Sequence, residues 1–203
     1  MKKLLALLPG LCLALVSLTA KADTLTFNGV PGGGDTGPYS LTLGSSGEDL
    51  LLFCMNDQNF IQTGEQWTVN VINGANLVTD LGMSLGDQYE EEAYIYSHYN
   101  GSNANDVQLA LWSIFDPSAD SGDSTAQALV TAASNLSNPF YTNGSLGDYT
   151  FYLYNGGTIT DQYDGYLPQN FIGPSSAPEP SSLFLLGSGL IGLAGVARRR
   201  LVR

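Results

Sequence analysis

Positive charge is almost missing from this chain. Of 203 residues, seven are Lys or Arg and 19 are acidic, for a formal net charge of -12. Lys2, Lys3 and Lys21 lie at the start, Arg198, Arg199, Arg200 and Arg203 at the end, and the stretch between Ala22 and Arg198 has neither residue type. Binding nucleic acid through its phosphates requires a cationic face, so nucleic acid is excluded as a partner. Histidine is limited to His98. Beyond that one residue there is no Ser-His-Asp triad to assemble and no His/Cys set with zinc-ligand spacing. Asp116, Asp120 and Asp123 do not follow the EF-hand spacing; a solvated loop is expected there. No metal and no cofactor are expected. Acidic residues are plentiful, but nothing selects a glycosidase pair among them.

The scarce basic residues cluster at two segments that read as addresses. Lys2 and Lys3 precede the apolar stretch Leu4 to Ala20, and Ala20-Lys21-Ala22 offers small residues at the minus-three and minus-one positions. Residues 1–22 therefore read as a secretory signal peptide cut after Ala22, with a cut after Ala20 as the alternative. Cys12 lies inside the apolar stretch without a lipobox before it. At the other end, Pro178-Glu179-Pro180 precedes an apolar run from Leu183 to Ala197, closed by Arg198-Arg199-Arg200. As a helix that run spans about 22 Å, short of the roughly 30 Å hydrocarbon core. It also contains four glycines, so it suits a weak, removable anchor held by the arginines on the cytoplasmic side.

This tripartite end, residues 178–203, resembles the PEP-CTERM sorting signal of Gram-negative bacteria. The resemblance implies recognition by an exosortase, an integral-membrane peptidase that removes the tail near Pro178-Glu179-Pro180. It further implies transient anchoring in the inner membrane through residues 183–197. The host would make extracellular polysaccharide, and the protein would end at the cell surface or in the biofilm matrix.

Between the addresses, all 11 tyrosines and both tryptophans supply core material, which argues against disorder. Alternating runs at Thr24 to Phe27, Tyr39 to Leu43 and Gln66 to Ile72 read as strands. The continuous apolar run Asp49 to Met55 reads as a strand buried on both faces. The period then becomes helical: Asp87 to Tyr99 with Glu90, Glu91 and Glu92 near its positive end, a helix capped by Asn105 or Asp106 and running to Phe115, and Thr125 to Leu136 capped by Asp123 or Ser124. Tyr149 to Tyr154 and Thr158 to Thr160, joined by Asn155-Gly156-Gly157, read as a hairpin. The fold class expected is α+β, an antiparallel sheet or sandwich core with a helical insertion, over residues 23–166. Residues 167–177 read as a linker.

Once the signal peptide is cut, Cys54 is the one cysteine left. It cannot form an internal disulfide, so its thiol is buried, reactive or otherwise bonded. Gln108 opens an otherwise apolar helical segment, Gln108-Leu109-Ala110-Leu111-Trp112. Such a glutamine either faces solvent, meets a partner, or costs about 1–3 kcal/mol in unmet hydrogen bonds. Together, Phe53-Cys54-Met55-Asn56 and Gln108-Leu109-Ala110-Leu111-Trp112 resemble the motifs of the thioester domains of bacterial surface adhesins, with Val107 where that family usually has Thr. The resemblance implies that the Cys54 sulfur attacks the Gln108 side-chain carbonyl, ammonia leaves, and an internal thioester forms. The target would be extracellular polysaccharide or amines on another surface. A bond of this kind is used once, so no turnover enzyme is expected. The alternatives are a passive structural matrix protein on the same fold and, more weakly, a carbohydrate-active enzyme.

Overall fold

The computed structural model describes residues 21–175, apart from residues 32, 35 and 121. The expected sorting segment 178–203 and all but the last two residues of the expected signal peptide lie outside these. Four strands come first: β1 (Lys21–Gly29), β2 (Tyr39–Leu43), β3 (Glu48–Cys54) and β4 (Gln66–Asn73). Helices α1 (Leu77–Leu81), α2 (Met83–Tyr96), α3 (Ala104–Phe115) and α4 (Ser124–Ala133) follow. Strands β5 (Tyr149–Thr160) and β6 (Phe171–Pro174) end the described chain. The six strands close into an antiparallel barrel in the order β1-β2-β3-β6-β5-β4. The α+β class and the helical insertion between strands hold. The sheet closes on itself instead of forming a sandwich.

Closure comes from β6, in the segment expected to be a linker. Ile172 pairs with Phe53 of β3 on one side and Phe151 of β5 on the other. Phe171, Ile172 and Gly173 are buried, so the folded unit continues beyond residue 166. Without these four residues β3 and β5 would each present an unpaired edge. The expected hairpin at 149–160 is also corrected: β5 is one strand paired with β4 throughout, with an irregularity opposite Trp67 to Val69. Residues 155–158 bulge out there opposite Thr68, where Thr68 Oγ1 donates to Asn155 Oδ1 at 2.7 Å and Gly156 takes φ 78. The glycines serve a bulge rather than a reversal.

Period-two alternation sorts side chains between two cores. Along β3, Leu52 and Cys54 face the barrel cluster, with Leu25, Leu41, Trp67, Val69 and Phe171. Phe53 and Met55 face the helical cluster, with Ala93, Ile95, Val107, Leu111 and Ile172. The expectation that β3 is buried on both faces holds only for its last residues, because Leu51 is 56% exposed. α2 starts at Met83, so the acidic run Glu90 to Glu92 lies well inside it and away from its positive end. α4 is capped as expected, with the Asp123 carboxylate accepting from Thr125 N and Ala126 N.

Each fully buried aliphatic side chain contributes on the order of 1.5–3 kcal/mol. Ile172→Ala is therefore expected to lower unfolding stability by about 2–5 kcal/mol, measured by chemical denaturation. A change within about 0.5 kcal/mol, as at an exposed linker position, would contradict the role given to β6.

Candidate functional site

Cys54 and Gln108, 54 positions apart, meet where the end of β3 lies against α3, and both side chains are fully buried. The Gln108 carboxamide is held at both ends. Its Nε2 donates to the backbone carbonyl of Cys54 at 2.5 Å, and its Oε1 accepts from Gly37 N at 3.3 Å. The polar cost of burying a glutamine is thus met by two backbone groups. Neither Asn105 nor Asp106 caps α3; the N-cap is Asn103, whose side chain instead braces the preceding loop through Asn100 N and His98 O.

Gly37 approaches the carboxamide closely. A Cβ there would lie 2.9 Å from Gln108 Oε1, 3.1 Å from a Tyr39 ring carbon and 3.2 Å from a Phe53 ring carbon. Only a residue without a side chain lets this backbone N–H reach the amide oxygen.

The Cys54 thiol donates to Asn56 O at 3.1 Å. Burial first of all pushes its pKa up to about 12; the Trp112 indole and the Asn56 backbone pull it down, and the charge of Asp57 pushes it further up. Trp112 lies one turn after Gln108 on α3, and its indole nitrogen has no other hydrogen-bond partner. The sulfur is therefore a protonated thiol at neutral pH, and it needs a base before it can act as a nucleophile.

Asn56 joins this corner to β6. Its Oδ1 accepts from Asn170 N at 2.8 Å, Met55 N donates to Asn170 O at 2.9 Å, and Asn170 Nδ2 donates to the Tyr89 hydroxyl at 3.4 Å. Glu92, one turn beyond Tyr89 on α2, is fully buried, and neither of its carboxyl oxygens has a hydrogen-bond partner. Burial, reinforced by the neighbouring Glu91 charge, raises its pKa well above the ordinary glutamate value. An ionised carboxylate with no partner would be costly there, so the group is a neutral acid.

A cleft of about 290 Å³ is lined by Phe27, Tyr39, Phe60, Trp112, Asp57 and Gln169; it shares Trp112 with the surroundings of Cys54, while Cys54 and Gln108 themselves do not line it. Gln169 Oε1 is buried without a partner. The other sequence candidates stand apart. His98 is exposed, with its ring 4.7 Å from that of Tyr94 and Nδ1 2.9 Å from the Tyr94 carbonyl. Asp116, Asp120 and Asp123 spend their carboxylates on Gln58 and Ser118, on Gly122 N, and on the α4 cap respectively. No group of three or more metal-ligating side chains occurs among the described residues.

Gly37 and Asn170 were not singled out from the sequence, and Glu92 was read only as one of three acids near the positive end of a helix. Glu92 had a signal: it shares a helical face with Tyr89, Ala93 and Tyr96, so the apolar stripe contains an acid. Gly37 sits in a glycine-rich loop and Asn170 in a segment without periodicity, and neither position has such a mark.

Residues 176–200 match the PEP-CTERM protein-sorting motif. The matched segment contains Pro178, Glu179, Pro180, Arg198, Arg199 and Arg200. It implies an exported, cell-surface-directed protein recognised by an exosortase. No curated protein and no solved structure matches the chain.

Two outcomes are expected from this geometry. Gly37→Ala should displace the carboxamide and lower stability by about 1–3 kcal/mol in a denaturant titration, and an unchanged midpoint would contradict the contact. The folded chain also keeps the Glu92 proton to a higher pH than the unfolded chain, whose carboxyl has an ordinary value of 4.5. Its contribution is thus complete below that pH and lost as pH rises through the folded-state value. Glu65, Glu90 and Glu91 are shifted in the same direction and add to the slope. Glu92→Gln should flatten the fall of Tm with rising pH; an identical profile would contradict the buried acid.

Proposed function

We propose that this exosortase-sorted protein attaches covalently to a surface or matrix partner through an internal thioester between Cys54 and Gln108. The observation that carries the reading is the placement of the Gln108 carboxamide against Cys54 in a buried site, with its oxygen on Gly37 N. Attack by the sulfur on the side-chain carbonyl carbon forms the S–C bond. The thiol proton and the amide nitrogen leave together as ammonia, so no oxidant or cofactor is consumed. Charge that develops on Oε1 meets a backbone N–H already aimed at it. Proximity supplies part of the barrier lowering.

The bond stores an acyl group for an incoming nucleophile. The stretch between Ala22 and Arg198 has no lysine, so self-reaction with a side-chain amine does not arise there. An outside amine would approach through the aromatic cleft, with Asp57 attracting its charge and Gln169 Oε1 free to accept from its N–H. The second reading, a passive matrix protein on the same barrel, draws on the burial of the thiol and its high pKa.

The domain reading divides the chain into a signal peptide of residues 1–22, the folded module, and a sorting segment of residues 178–203 that anchors transiently in the inner membrane until it is removed.

Methylamine treatment of the exported protein separates the two readings. The thioester reading expects one methylamine incorporated at Gln108, with a free thiol appearing at Cys54, and no incorporation in Cys54→Ala. Equal labelling of both proteins, or none of either, would contradict it.

A further inference from the structure

Exposed aromatic rings are few, and they gather in one place. Among the described residues the exposed aromatic side chains are Phe60, Phe115, Tyr163 and Tyr166, and all but Phe115 lie together. The rings of Phe60 and Tyr166 are 4.9 Å apart; those of Tyr166 and Tyr163 are 6.2 Å apart and inclined by only 23°. Phe60 is also a wall of the cleft of about 290 Å³, with Phe27, Tyr39 and Trp112, so the rings continue from that concavity onto the surface. The two loops that carry them are tied together. Gln62 Nε2 donates to Asp161 O at 2.8 Å, Tyr163 N to Glu65 Oε2 at 3.2 Å, Asn59 Nδ2 to Pro168 O at 3.0 Å and Gln169 Nε2 to Asn59 O at 2.6 Å. Exposed apolar clusters rimmed by polar groups mark interaction surfaces, and one held this firmly loses little freedom on binding.

The polar groups of the cleft select the ligand. Gln169 lines it and is 7% exposed; with Nε2 spent on Asn59, its Oε1 is buried without a partner. Asp57 adds a carboxylate to the lining. Both groups accept hydrogen bonds, so a ligand seated there has to donate them. The stretch between Ala22 and Arg198 has no Lys or Arg, so a polyanion would meet repulsion and no counter-charge. A neutral pyranose meets all of these conditions: its C–H face lies on an aromatic ring while its hydroxyls donate at the rim. Rings that extend beyond the cleft call for more than one such unit. We propose that the cleft and the Phe60, Tyr166 and Tyr163 platform bind a neutral polysaccharide non-covalently. One sugar unit enters the cleft beside Gln169, and the units next to it in the polymer stack on the exposed tyrosines. Cys54 and Gln108 do not line the cleft, so this hold goes beyond the thioester reading and does not depend on it.

The test is electrophoresis of the exported protein in native gels cast with dextran, a mixed-linkage β-glucan, galactomannan, polygalacturonate or gelatin. At least one of the three neutral glycans should retard the wild type, and oligosaccharides of that glycan should relieve the retardation. Tyr166→Ala should weaken binding on the order of tenfold. Tyr163→Ala combined with Tyr166→Ala should abolish it, with a denaturation midpoint close to the wild type because both rings are exposed. Leu136→Ala, which trims an exposed apolar side chain beyond the end of α4, should bind as the wild type does. No retardation by any neutral glycan, or undiminished retardation of the double variant, would overturn the proposal. Retardation by polygalacturonate alone or by gelatin alone would also overturn it, assigning the surface to an acidic polymer or to a protein. Methylamine incorporation reads the thioester and gel retardation reads this surface, so either can fail without the other.

Discussion

The carboxamide of Gln108 is the pin on which the two halves of the molecule meet. One end is bonded to the backbone of Cys54 and the other to the backbone of Gly37, so a single side chain fixes α3 against the end of β3 and the loop before β2. Buried amides must be satisfied or they destabilise the fold, and here the satisfaction is provided by two backbone groups far apart in sequence. Any shift of α3 would leave two donors or acceptors stranded at once. The site is therefore as rigid as the junction between barrel and helices.

That junction depends on strand alternation. Leu52 and Cys54 belong to the barrel interior while Phe53 and Met55 belong to the helical core, so β3 is the wall shared by both. The thiol consequently sits on the barrel side of a wall whose other face is packed by α2 and α3. Gln108 approaches this strand end from α3. β6 completes the wall, since Phe171 and Ile172 repeat the division and Asn170 ties Asn56 to Tyr89. Residues 170–174 thus both close the sheet and brace the site.

Much of this was legible in the residues. The alternation at Tyr39 to Leu43 and Gln66 to Ile72, the Asp123 cap and the switch to helical period each reflect local chemistry, and local chemistry decides those elements. Cys54 and Gln108 were legible because a lone thiol and a lone amide stand out from apolar neighbours. What escaped depends on long-range pairing. Phe171-Ile172-Gly173-Pro174 is too short for a period and contains both a glycine and a proline, and it becomes a strand only because two edges await it. Asn155-Gly156-Gly157 reads as a reversal in isolation, yet β4 runs past it and makes it a bulge. Glu92 was masked by Glu90 and Glu91, a run that reads as acids at the positive end of a helix until the start at Met83 places it well inside, with its third member buried.

The central claim concerns one covalent bond, and digestion of the exported protein under acid conditions followed by peptide mass spectrometry reads it directly. The account predicts a linked pair of peptides, one containing Cys54 and one containing Gln108, with a combined mass lower by one ammonia than an uncrosslinked amide would allow. Two separate peptides, with a free thiol on one and an intact carboxamide on the other, would contradict it.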